Sequence, residues 1–241
     1  QFLSNGGDIE FVSKVSGESS QIEVLSDSYF AQPGDNPIAV HGVTPIEGSP
    51  DVKTTFKADN WISFKDSVYG SGSVEIAPYK TTGQYIGIQS EAVEGNFWVE
   101  NLDNLAPTFS SVTVGDSSST IGIKADSPIM LTVPTIFDAG SGSIEFSHSL
   151  ASIDQNVTFK VSGDSNVAAL NLGTGSMTKD GPGLLNLTSQ NTYSGSTLIE
   201  QGTLQVSNTG ALGSSSSLSL NGGKLLVSVS ASDEKSPFLI G

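Results

Sequence analysis

Apolar and polar side chains alternate over short runs along most of the chain. Asp8-Ile9-Glu10-Phe11-Val12, Ser143-Ile144-Glu145-Phe146, Val157-Thr158-Phe159-Lys160-Val161 and Thr203-Leu204-Gln205-Val206 each put every second residue on one face, the period of a half-buried strand. In the second half the strand centres recur at Ile121, Leu131, Ile144, Phe159, Leu170, Leu185, Ile199, Leu204, Leu218 and Leu226, with clusters of Gly, Asn, Asp or Ser between most of them. No window carries apolar residues convincingly at three- and four-residue spacing, and the best helical candidate, Ser189 to Ser196, is broken by turn formers. Repetition of short strands predicts stacking rather than a closed sandwich. The expected fold is all-β, a right-handed parallel β-helix (solenoid) whose turns use roughly 20 residues in two or three strands.

The first half has a different texture. Residues 1–110 hold both Trp, four of the five Tyr and seven of the eleven Phe, while Pro33, Pro37, Pro45, Pro50 and Pro78 interrupt the strand pattern. We therefore expect a less regular, aromatic-rich half over residues 1–105 and a regular parallel β-helix over residues 106–241, joined by the turn-rich Leu102 to Pro107. The aromatic enrichment has two explanations: the core of an irregular subdomain, or an exposed face that binds sugar or protein. On the second, Trp61, Tyr69, Tyr79 and Trp98 are the candidate ligand-contact residues.

Composition narrows the function. Charged residues make up only 15% of the chain and Gly numbers 27, which suits turns and strands better than helices. The 25 acids exceed the ten bases, all of them Lys, for a net charge of −15. That balance argues against nucleic acid and anionic membranes as partners, because both need basic clusters. The absence of Cys removes disulfides, thiolate nucleophiles and Cys-ligated zinc. No run of 18 apolar residues occurs, so membrane insertion by a helix of this chain is not expected. The start, Gln1-Phe2-Leu3-Ser4-Asn5, resembles no signal peptide and lacks Met, which suggests a processed product or an excised piece.

Catalytic and metal signals are thin. Gly-Asp-Ser occurs at residues 115–117 and 163–165, and only His41 and His148 are available as the base of a triad, neither in a recognisable setting. The acids are scattered singly, no Arg is present, and no calcium-loop or nonapeptide calcium pattern occurs. No catalytic residue, metal site or cofactor is expected, and Asn156 and Asn186, although in N-x-[ST] sequons, read as strand and turn residues.

One segment is more specific. From Lys179-Asp180-Gly181-Pro182-Gly183 the chain continues Leu185-x-Leu187, Asn191-Thr192-Tyr193-Ser194-Gly195, Gly202-Thr203-Leu204-x-Val206 and Asn208-Thr209-Gly210-Ala211-Leu212-Gly213. Read physically, Leu185, Leu187, Ile199, Leu204 and Val206 point inward. The glycines Gly181, Gly183, Gly195, Gly202, Gly210 and Gly213 sit at sharp breaks. Asn191 and Asn208 are turn formers suited to amide contacts between turns, and Tyr193 covers a core edge. The segment resembles the passenger-associated transport repeat of bacterial autotransporters. That resemblance implies a β-helical passenger on the bacterial surface or secreted, covalently continuous with an outer-membrane β-barrel in the full-length protein. It also implies an adhesin or virulence scaffold that meets a protein or glycan of host or neighbouring cells. The alternatives are a β-helical polysaccharide-degrading enzyme and a purely structural stalk or folding-nucleating segment. The apolar C-terminal stretch suggests a piece of a longer passenger, with Pro237 as a local stop.

Overall fold

The computed structural model describes residues 2–4, 9–11, 22–26, 38–40, 53–58, 61–64, 67–70, 72–78, 85–88, 96–214 and 217–229. In chain order the first strands are β1 (Phe2–Ser4), β2 (Ile9–Phe11), β3 (Ile22–Ser26), β4 (Ile38–Val40), β5 (Lys53–Ala58), β6 (Trp61–Phe64), β7 (Ser73–Pro78), β8 (Tyr85–Ile88), β9 (Phe97–Glu100), β10 (Ser111–Gly115) and β11 (Gly122–Ala125). They continue as β12 (Ile129–Leu131), β13 (Thr135–Asp138), β14 (Ile144–Ser152), β15 (Val157–Lys160), β16 (Ser165–Asn171), β17 (Met177–Asp180), β18 (Leu184–Leu187), β19 (Thr197–Ile199), β20 (Thr203–Val206), β21 (Leu218–Leu220) and β22 (Lys224–Val227). A single 3-10 turn, Leu102–Asn104, is the only helical element among the described residues, and Asn101 enters it with φ +56°.

The strands coil into a parallel β-solenoid, as the alternation predicts. One sheet of ten strands takes β1-β3-β5-β7-β10-β13-β15-β17-β19-β21 in chain order. The second, of twelve, runs β2-β4-β6-β9-β8-β11-β14-β16-β18-β20-β22, with β12 beside the far half of β14. Pairing is parallel throughout the described strands, and the partner of a residue lies about one turn away: Thr135 pairs Val157, Val157 pairs Met177, Met177 pairs Thr197 and Thr197 pairs Leu218. Side chains on one face therefore form columns. Ile76, Val114, Phe137, Phe159, Lys179, Ile199 and Leu220 make one inward column of the first sheet. Ala125, Phe146, Val167, Leu187, Val206 and Val227 make one of the second. A register shift between Phe146 and Ser149 bends β14, so that its second half forms a third wall with Ile129 on one side and Leu170 on the other.

Two features depart from a regular coil. β9 lies between β6 and β8, pairing Trp61 with Trp98 on one edge and Gly87 with Trp98 on the other. The core is also not uniformly apolar. Phe137 stacks on Phe159 with centroids 5.8 Å apart and meets Phe146 edge-on at 5.0 Å, yet Thr135, Ser165, Lys179, Asn191 and Thr197 are buried too. Each has a partner at hand; the Thr135 hydroxyl, for example, donates to the Val133 carbonyl at 2.8 Å.

This burial pattern gives a direct test. Leu204 is fully buried whereas Leu226, on the opposite face one turn on, is 46% exposed. Leu204→Asp is expected to cost at least about 3 kcal/mol in urea unfolding, because it buries an unpaired charge. Leu226→Asp should stay within about 0.5 kcal/mol of the parent.

Candidate functional site

The segment from β17 through the turn after β20 is where the sequence signature and the packing coincide. Leu185, Leu187, Ile199, Leu204 and Val206 are all fully buried, as their alternation requires. Gly181 and Gly202 take φ of +80° and +67°, a left-handed conformation that side chains disfavour. Gly195 is needed for a different reason: a Cβ there would lie 2.3 Å from the Gly175 carbonyl oxygen of the preceding turn. Gly213 is left-handed at +60°, while Gly183 and Gly210 sit where a Cβ would collide with Ser162 and Gln190.

Asn191 carries more than a turn. Its side-chain Oδ1 accepts from the Leu170 N–H of the turn below at 2.7 Å, and its Nδ2 donates to the Ala211 carbonyl of the turn above. The backbone N–H of Asn191 donates to Gly210 at 3.0 Å. One amide thus fastens three successive turns at a wall where Leu150 and Leu170 precede it. Asn208 acts locally, accepting from Gly210 N–H at 2.9 Å. Tyr193 lies fully inside, its hydroxyl 2.7 Å from Thr197 Oγ1, and burial pushes its pKa up to about 12.

The largest departure from an apolar interior is Lys179, fully buried in the column between Phe159 and Ile199. Its Nζ donates to the carbonyls of Asp180 at 2.9 Å, Gly181 at 2.7 Å and Gln201 at 3.2 Å, so all three ammonium hydrogens have acceptors, one of them on the next turn. Burial lowers its pKa to about 8, opposed by the neighbouring Asp180 charge. Lys179 was no candidate from the sequence. The missed signal is parity, since Met177-Thr178-Lys179 puts Lys179 on the same face as Met177.

The candidate aromatic residues separate. Trp61 and Trp98 are register neighbours, with Trp61 half-buried and Trp98 only 4% exposed, and Tyr69 stands apart at 52% exposed. Tyr79 lies outside the described residues. Trp98 sits between the core residues Phe97 and Val99 and so faces the other side of the sheet, where Tyr85 meets it edge-on at 6.4 Å. Lys124 Nζ lies 5.4 Å from the Tyr85 centroid. Neither Tyr85 nor Lys124 was a candidate from the sequence; the register that opposes Gly87 to both Trp98 and Lys124 brings them together. Beyond Lys124 the same outer face continues as a polar ladder. Asn166 donates to Glu145 and Asn186 donates to Asn166, each at 3.2 Å, while Ser207 donates to Asn186 at 2.8 Å.

Three of the residues considered for catalysis are described. Ser165 is buried, donating to the Gly163 carbonyl at 3.1 Å and accepting from Ile144 N–H at 2.9 Å. Ser117 is exposed in a turn whose Asp116 accepts from Ser118 N–H. That bond, with Lys57 nearby, holds the Asp116 carboxyl below its usual range. His148 Nδ1 lies 3.0 Å from Ser147 Oγ on the exposed bend of β14, and His41 lies outside the described residues. No group of three His, Cys, Asp or Glu able to hold a metal occurs among the described residues.

The geometry therefore defines a turn of parallel β-helix fastened from within by an amide, a lysine and a tyrosine. Residues 177–206, from the first residue of β17 to the last of β20, match the family model described as passenger-associated-transport-repeat, and the segment is a repeat of the autotransporter-passenger kind. No curated protein and no solved structure matches the chain.

Lys179 and Tyr193 set an alkaline stability profile. With a folded pKa of about 8 against ~10.4 unfolded, Lys179 leaves the unfolded chain holding more protons between those values, so stability rises with pH there. At 1.36 kcal/mol per unit the rise approaches about 3 kcal/mol. Tyr193, raised to about 12 from ~10, works the other way, and its contribution is lost as pH climbs from ~10 through 12. Denaturant midpoints are expected to peak near pH ~10; Lys179→Met should abolish the rise and Tyr193→Phe should flatten the fall.

Proposed function

We propose that this chain is the β-solenoid part of a surface-exposed or secreted bacterial autotransporter passenger and that it serves as an adhesive scaffold. The observation that carries the reading is the transport-repeat match lying inside a stack of parallel turns. The acidic balance disfavours nucleic acid and anionic lipid as partners and leaves a protein or glycan of host or neighbouring cells. Binding energy concentrates in large aromatic side chains that can be desolvated by a partner. Of the three described candidates, Tyr69 and Trp61 have accessible surface for this, whereas Trp98 is buried beside Trp61. Covalent continuity with an outer-membrane barrel belongs to the same reading. We read the chain as non-catalytic, supported by the engagement of Ser165 with backbone on two sides.

The second reading is a stalk that carries no contact of its own, favoured by the polar, internally bonded ladder from Glu145 to Ser207, which offers few anchors. Binding of the whole chain to epithelial cells and to a glycan array separates the two. Saturable binding that falls at least about tenfold in a Trp61→Ala, Tyr69→Ala double variant of unchanged circular dichroism supports the adhesive reading. Absence of saturable binding by the parent chain establishes the stalk, and binding insensitive to both substitutions moves the contact off these aromatics.

A further inference from the structure

Among the described residues Asn221 is the one asparagine that precedes a glycine; every other is followed by Leu, Val, Phe or Thr. It follows directly on β21 and is held at two points. Its N–H donates to the Ile199 carbonyl of the preceding turn at 2.9 Å, and its Nδ2 donates to Glu200 Oε2 at 2.8 Å. The glycine after it is imposed by the corner. Gly222 takes φ +123°, and a Cβ there would lie 2.9 Å from the Glu200 carbonyl oxygen. On either side the N–H groups of Asn221 and Gly223 donate to Ile199 and that of Lys224 to Gly202, whereas the Gly222 N–H has no acceptor among the described residues.

We infer that Asn221-Gly222 is a self-modification site, where the asparagine deamidates to aspartate or isoaspartate, and that the product loosens the corner after β21. The Gly222 nitrogen, which gives up no hydrogen bond on losing its proton to hydroxide, attacks Asn221 Cγ. The new N–Cγ bond closes a succinimide ring; the Cγ–Nδ2 bond breaks, and Nδ2 leaves as ammonia with a proton from water. No Cβ on Gly222 crowds the ring as it closes. Water then adds at one of the two ring carbonyls, giving aspartate or isoaspartate, and nothing is oxidised or reduced. The product fits the stack poorly. Asp180, Glu200 and Asn221 follow Lys179, Ile199 and Leu220, which share one inward column, so the three lie on the outer face one turn apart. Deamidation thus replaces the amide that donates to Glu200 with a second carboxylate, in a column that already holds Asp180, and like charges on neighbouring strands repel. Isoaspartate also lengthens the backbone by a carbon and displaces the N–H groups that bind Ile199 and Gly202.

Both halves are testable on the full chain. In folded protein kept in mildly alkaline buffer, peptide mapping should show aspartate and isoaspartate accumulating at residue 221 at least about ten times faster than at Asn186 or Asn208, which precede Leu187 and Thr209. Equal rates at the three positions overturn the site. For the consequence, Asn221→Asp supplies the product directly. It should speed amide exchange at Lys224, whose N–H donates to Gly202 at 2.9 Å, by at least about threefold over the parent. Added to Glu200→Gln, which removes the facing charge, the same substitution should leave exchange close to that of Glu200→Gln alone. Unchanged exchange in Asn221→Asp overturns the loosening, and an acceleration just as large in the Glu200→Gln background overturns its attribution to the carboxylate pair.

Discussion

Backbone hydrogen bonding between successive turns, at a spacing of 20 to 22 residues, is the constraint on which the rest of this molecule depends. A chain without Cys, with few charges and with many Gly has neither cross-links nor a large aromatic core in its second half to hold it together. Each strand instead pairs with the one below and the one above, so each residue adds little, but every rung repeats the gain. Parallel pairing in register also forces like positions into columns. A choice of side chain at one position is therefore a choice about its neighbours two turns apart, and the stacked Phe137 and Phe159 are the apolar outcome of that rule.

The polar residues inside the repeat are the other outcome. Bonds between turns by backbone alone leave gaps where the coil turns a corner, because carbonyls and N–H groups there lie out of line with any strand. Asn191 fills one such gap on both sides, and Lys179 gathers three corner carbonyls, of which that of Asp180 also accepts from Val161 N–H. Burying an amine costs desolvation, visible in its lowered pKa. The return is specificity of register: slipping the turn by one residue would send Lys179 outward and leave Gly181 and Gln201 carbonyls unpaired.

Much of the architecture was legible because period two survives in most strands of the second half, β14 and β16 breaking it where the chain bends. Leu185, Leu187, Leu204 and Val206 needed only alternation to be placed, and the glycines of the repeat needed only the sharpness of the corners. The misses have a common cause. Whether Trp98 is buried and Tyr69 exposed depends on which strands lie beside them, and β9 enters between β6 and β8 out of chain order, which no local pattern encodes. Lys179 was hidden by its chemistry: a charge next to Asp180-Gly181-Pro182 looks like a turn until its parity with Met177 is counted. For Asn191 amide contacts between turns were expected from the sequence, and only the partners, Leu170 and Ala211, emerge once the turns are stacked.

The same columns also decide which side chains of the repeat are already engaged. Inward positions are committed to stacking, and outward positions along residues 145–207 satisfy one another through side-chain ladders, so a partner there would have to displace bonds already made. Where the order of strands is disturbed, at β8 and β9, the ladder is replaced by Trp61, Tyr85, Trp98 and Lys124 gathered around Gly87. An aromatic group supported by a glycine on the neighbouring strand gains ring contact with backbone rather than with a competing side chain. The irregularity that interrupts the coil is thereby also what gathers these large side chains on one side of the sheet.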